Sequence, residues 1–169
     1  MDAITAIKTR RSIRKFTGEK IGESELRTIL ETGFLAPSAH NFQPWEYIVV
    51  RDEEMLQRIA DIHPYGKMLP QAGCGIIVCG NQNKQELMGF LVEDCAASIE
   101  NMLIAVNSLG LGAVWCGIYP VENLVKSFEK TFDIPKHIIP IGIIALGHPA
   151  EEKEAADRYD EEKIHYDKW

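Results

Sequence analysis

Basic residues are in the minority in this 169-residue chain: 18 Lys and Arg stand against 25 Asp and Glu, a formal net charge of −7. A general nucleic-acid or anionic-membrane surface needs a broad basic face, so the shortage argues against both partners and leaves room only for a small, localised anion. No apolar run approaches the ~18 residues that suggest a membrane span, and the N-terminal MDAITAIKTRR has no signal-peptide core; a cytoplasmic protein is expected. Cysteines number only four, Cys74, Cys79, Cys95 and Cys116, with no Cys-x-x-Cys spacing. Buried, reduced thiols are therefore expected rather than a zinc site or disulfides. Cys74 and Cys79 sit five apart in an apolar run that reads as a strand, and odd spacing points them to opposite faces. His40, His63, His137, His148 and His165 show neither a His-x-x-x-His spacing nor a paired nucleophile, which leaves a hydrolase or metalloenzyme poorly supported. Internal repeats and low-complexity linkers are absent too.

What is present suits one compact domain spanning residues 1–169, since the chain is 46% apolar and of ordinary single-domain length. Helices are predicted over DAITAIKTR, over ESELRTILETGFLA with Ser24 as its start residue, over EEMLQRIADI and over VENLVKSFEKTF. The longest helix begins near Leu87 and stops at Gly110; its apolar and small residues cover much of its circumference, so it belongs at the centre of the fold or of an interface. Strands are predicted over WEYIVV, CGIIVCG, GAVWCGIY and IIPIGIIALG, with Pro140 near the start of the last. Alternating strands and helices imply an α/β or α+β sandwich. Residues 150–169 carry eight acidic and four basic residues yet end in IHYDKW. Ile164, Tyr166 and Trp169 suggest that this extension packs on its own domain or on a partner subunit.

Three segments carry chemical possibilities. Arg10, Arg11, Arg14 and Lys15 crowd into RRSIRKF, where Ile13 and Phe16 require a core and Ser12 adds a hydroxyl among guanidinium groups suited to phosphate. A solvated basic patch is the plainer alternative. APSAHNFQPW, residues 36–45, joins a helix to a strand and is rich in short polar side chains; it could read a heterocycle's edge or merely cap its own backbone. GLGAVWCG, residues 110–117, is not a dinucleotide fingerprint, because Trp115 replaces the third small residue and the order runs helix to strand. It leaves a glycine-eased turn and, at Gly117, a place where another group can approach the backbone.

In this order these segments, with ALGHPAEE at the last strand and DRYDEEKIHYDKW at the end, resemble the nitroreductase family of FMN-dependent oxidoreductases over nearly the whole chain. The resemblance implies an α+β sandwich with a mainly antiparallel central sheet flanked by helices. It also implies a homodimer joined through the long central helices, with FMN at the interface. NADH or NADPH would reduce the flavin by hydride transfer, leave, and be replaced by a nitroaromatic or quinone. Arg10, Arg11, Ser12 and Arg14 would hold the phosphate, ribityl chain or ring edge. Pro37, Ser38, Ala39 and Asn41 would approach from the other subunit. Lys67 would lie near the pyrimidine side, and Cys116 and Gly117 would present backbone amides near the ring's central nitrogen. His40 would cap or line the pocket. Where relatives carry Lys-x-Arg to complete the phosphate site, this chain has Ala156-Asp157-Arg158, so Arg158 stands without the lysine. The same motifs are compatible with a dehalogenating or dehydrogenating enzyme of this fold, or with a flavin-binding protein that turns nothing over.

Overall fold

The computed structural model describes all 169 residues. Its first helix, α1 (Ala3–Thr9), is capped by Asp2, whose carboxylate accepts the Thr5 N–H at 3.1 Å. The second, α2 (Glu23–Phe34), starts at Gly22, and not on a Ser24 cap: the Glu25 carboxylate reaches back to accept the Gly22 N–H at 2.7 Å, which makes a serine cap unnecessary. Then follow β1 (Trp45–Val50), α3 (Glu53–Ile62) capped by Asp52, and α4 (Leu69–Ala72), a single turn too short to show periodicity in sequence. The remainder comprises β2 (Cys74–Asn81), α5 (Met88–Ser108), β3 (Gly112–Gly117), α6 (Glu122–Thr131) and β4 (Ile138–Gly147). No helix is long and apolar enough to cross a membrane.

The four strands form one antiparallel sheet in the order β1-β2-β4-β3, the α+β architecture expected. Its interior strands are apolar on both sides, and residue parity assigns the sides. Cys74, Ile76 and Val78 face the layer of α2 and α5, whereas Ile77 and Cys79 face α3, α4 and α6. The two cysteines thus lie on opposite faces, as their spacing required. Pro140 survives inside a central strand because a bulge lies beside it: the register with β2 steps from Val78–Gly142 to Cys79–Pro140, leaving Ile141 unpaired there. The Ile141 carbonyl instead accepts the N–H groups of Ile118 and Tyr119. α5 buries Leu91, Cys95, Ile99, Met102 and Val106 against the sheet and α2, each such side chain contributing roughly 1.5–3 kcal/mol. Gly33 lets α2 approach: a Cβ there would meet Tyr47 Oη at 2.9 Å and Met102 Cγ at 3.0 Å.

All four thiols are free and buried. Burial pushes Cys79 and Cys95 up to about 12 and Cys74 up to about 11, which keeps them protonated and unreactive. Native protein at pH 8 should accordingly leave a thiol-disulfide reagent largely unconsumed, with four equivalents appearing on denaturation. Rapid native reaction of two or more thiols would contradict the packing.

Candidate functional site

Arg10 ends α1, and the chain then runs extended along the free edge of β3. Ser12 bridges Ala113, the Ile13 N–H donates to the Ala113 carbonyl at 2.9 Å, and Phe16 bridges Pro149. Ile13 and Phe16 are buried by this docking, so the basic stretch is held against the core. Arg10 Nε lies 3.3 Å from Glu100 on α5. Arg11 donates to the carbonyls of Lys8, Arg10 and Glu154, but its Nη2 is buried with no partner. Such an orphaned charged donor is costly unless a ligand satisfies it. Glu151 accepts the N–H groups of Arg14 at 2.6 Å and Lys15 at 3.2 Å, and these bonds hold its carboxyl below its ordinary pKa. A cavity of about 370 Å³ opens here, lined by Arg10, Arg11, Ala113, Glu151 and Lys153 among others.

Further along β3 lies a second cluster. The Ile118 N–H bonds the Ile141 carbonyl, and antiparallel alternation then turns Cys116 toward Ile143 while the backbone groups of Ala113, Trp115 and Gly117 face away from β4. Of the two amides expected to face a ligand, only that of Gly117 points outward; that of Cys116 belongs to the ladder. A Cβ at Gly117 would have nothing within 4 Å. Its carbonyl is held by His63, a buried residue that the sequence left unassigned. His63 Nδ1 accepts the Tyr65 N–H at 3.1 Å, so the proton sits on Nε2, which donates to the Gly117 carbonyl at 2.9 Å. The Cys116 thiol donates to the Tyr65 carbonyl at 3.2 Å; burial raises its pKa, opposed by the nearby Arg14 charge. The same loop carries Lys67, whose Nζ donates to the Ala60 carbonyl at 2.6 Å. His63 could not be found by spacing, because its partner lies 54 residues away.

The 37–43 loop is built differently. Ser38 Oγ accepts the Gln43 N–H at 2.9 Å and Asn41 Oδ1 accepts from Gln43 Nε2 at 3.0 Å, so part of its polarity serves the loop itself. His40, Asn41 and Gln43 have φ of 53°, 57° and 49°, a left-handed conformation costly for residues with side chains. Asp94 on α5 anchors it, accepting the Ala39 N–H at 2.8 Å while its other oxygen is buried without a partner. This loop has no part in the arginine-lined cavity; His40 and Phe42 line another, with Gln85, Leu87 and Phe90. Within one chain Arg158 is exposed and outside both.

The site is thus an edge strand with an outward glycine amide at one end and an arginine-lined cavity at the other. The chain belongs to the Nitroreductase family, whose sequence profile matches residues 7–63 and 63–148. It is 46% identical over 169 residues to a protein of Methanothermobacter thermautotrophicus provisionally named NADH dehydrogenase/NAD(P)H nitroreductase, covering 100% of this chain and 88% of that one. Among solved structures, an FMN-dependent nitroreductase of Clostridium difficile superposes with a TM-score of 0.91 at 27% identity, covering 98% of this chain and 99% of that one. A provisionally named nitroreductase of Desulfovibrio desulfuricans, crystallised in complex with FMN, gives 0.87 at 29% identity, covering 100% and 98%.

Proposed function

We propose that the chain is an FMN-dependent oxidoreductase that takes electrons from NADH or NADPH and passes them to a small acceptor, a nitroaromatic or quinone, in two alternating half-reactions on one site. The observation that carries the reading is the β3 edge. Ser12 pairs with Ala113, and Gly117 lies four residues further on, about 13 Å along a strand. A ligand reaching both places must be long, anionic at one end and able to accept a backbone hydrogen bond at the other. FMN has that form, and the residues present fit it: Arg10, Arg11 and Arg14 with Ser12 would hold the phosphate end, and Gly117 would donate to the ring.

Bound there, FMN would supply the redox chemistry between nicotinamide and acceptor. The protein's own residues position and polarise. His63 clamps the Gly117 carbonyl, removing backbone freedom that a glycine would otherwise retain. Lys67, on the same loop as His63 and Tyr65 with its Nζ on the Ala60 carbonyl, would supply a cation to favour negative charge on a reduced ring. Pro37, Ser38, Ala39 and Asn41 belong to a loop that has no part in the arginine-lined cavity, which supports their serving a second subunit's flavin. Apolar side chains support the dimer too: Ile4 and Ile7 on α1 are 62% and 52% exposed, and Trp169 is wholly exposed in the single chain. Residues 155–169 would then lie as an arm on the partner, with Ile164, Tyr166 and Trp169 covered there. Both half-reactions would take place in the cytoplasm, with metabolites of that compartment.

The purified protein should be yellow, or become so with FMN, and anaerobic NADH or NADPH should bleach the flavin. A nitroaromatic or quinone should then restore the colour. A protein that neither carries nor takes up FMN would overturn the reading, and a bound flavin that no nicotinamide bleaches would reduce it to a flavin-binding protein.

A further inference from the structure

The tail lacks the lysine expected two residues before Arg158, because Ala156 stands there, but a different lysine reaches the arginine-lined cavity. Lys153 Nζ donates to the Ser12 carbonyl at 2.5 Å and lies 3.4 Å from Glu151 Oε1. Its side chain is 34% exposed, mostly covered for a lysine, and it lines the same cavity as Arg10 and Arg11. The backbone around it is pinned. The Ala150 N–H donates to the Lys15 carbonyl, Glu151 takes the amides of Arg14 and Lys15, and the Glu154 carbonyl accepts from Arg11 Nε at 2.8 Å. Lys153 therefore emerges from a stretch tied at three points to the very segment that carries the arginines.

We propose that Lys153 is a phosphate-binding residue that takes the place of the missing tail lysine, an assignment that rests on the FMN reading above. An ammonium has three N–H donors; Ser12 and Glu151 take at most two, leaving one for the cavity. The electrostatics favour the same assignment. Glu151 and Glu152 line the cavity, and Arg10 is paired with Glu100. An incoming phosphate of about −1.5 to −2 charge would meet uncompensated acid there without a further cation. Lys153 stands beside Glu151 and supplies it. Arg11 lines the same cavity, and its Nη2 has no partner in the protein.

The test compares FMN with riboflavin, which has the ring but no phosphate, by equilibrium binding to the full-length apoprotein. Lys153→Gln removes the charge and retains a hydrogen-bond donor near the Ser12 carbonyl. It should weaken FMN about 10- to 100-fold, the loss of one charge-assisted phosphate contact, with riboflavin affinity changed less than about twofold. Lys153→Arg should restore most of the FMN affinity. FMN binding to the wild type should also fall more steeply with salt than binding to the Gln variant. Equal weakening of both flavins, or of neither, would overturn the assignment. Lys153→Met, which also removes the Ser12 bond, serves as the second variant should the first fail to fold. Wild-type protein that binds neither flavin would instead sink the FMN reading, and this assignment with it.

Discussion

Gly147→Ala is expected to be the most damaging single methyl group in the protein. Gly147 ends β4 on the sheet, and a Cβ there would lie 2.3 Å from the Ala72 carbonyl oxygen and 3.1 Å from its carbon. These are backbone atoms at the end of α4, so no rotamer change relieves the clash. Either the strand end or the helix must move, and both are buried: Ala72 is 1% exposed, and Leu146 beside Gly147 is fully buried. Overpacking of this kind costs about 3 kcal/mol or slightly more. That is a large share of the roughly 5–15 kcal/mol by which domains of this size are stable. Urea unfolding should show the midpoint falling with little change in slope. An unchanged midpoint would mean that α4 shifts freely.

Gly117→Val should do the reverse, leaving the fold intact and abolishing most flavin affinity. Gly117 ends β3, is exposed, and has open space where a side chain would stand. A β-branched residue suits a strand, so thermal stability should be retained. The added methyl groups would flank the one outward amide at this strand end and obstruct whatever approaches it. FMN binding should weaken about 100-fold, equivalent to about 2.7 kcal/mol. Titration of the apoprotein with FMN, alongside a thermal melt, separates binding from folding. Undiminished affinity would remove the Gly117 amide from the site.

Much of the framework was legible because it depends on local chemistry. The period of the apolar residues marked α2, an apolar and small surface over much of the circumference marked α5 as a central helix, and parity placed Cys74 and Cys79 on opposite faces of β2. The helix start at Gly22 was not legible, since Ser24 has the right chemistry two residues too late and the Glu25 carboxylate acts from inside the helix. Nor was α4, whose four residues offer no period. In the candidate site, the order of the basic stretch, the Pro-Ser-Ala-His-Asn loop and the Gly117 turn was visible, but their pairing was not. Arg11 illustrates the difference: its charge is obvious, yet most of its donors hold backbone carbonyls and only Nη2 remains for a ligand.

The residue pattern by itself determined a layered α/β or α+β chain, and its motifs in order resembled the Nitroreductase family, because hydrophobic period and short motifs are properties of neighbouring residues. Tertiary structure alone decided which backbone amide faces outward, that His63 clamps Gly117, and that Lys153 and not a residue beside Arg158 reaches the arginines. Each of those outcomes rests on a contact between residues well separated in the chain, Ile118 with Ile141, His63 with Gly117 and Ser12 with Lys153. Such contacts are selected by strand register and the docking of one segment on a sheet edge, and neither is written in the spacing of the residues that make them.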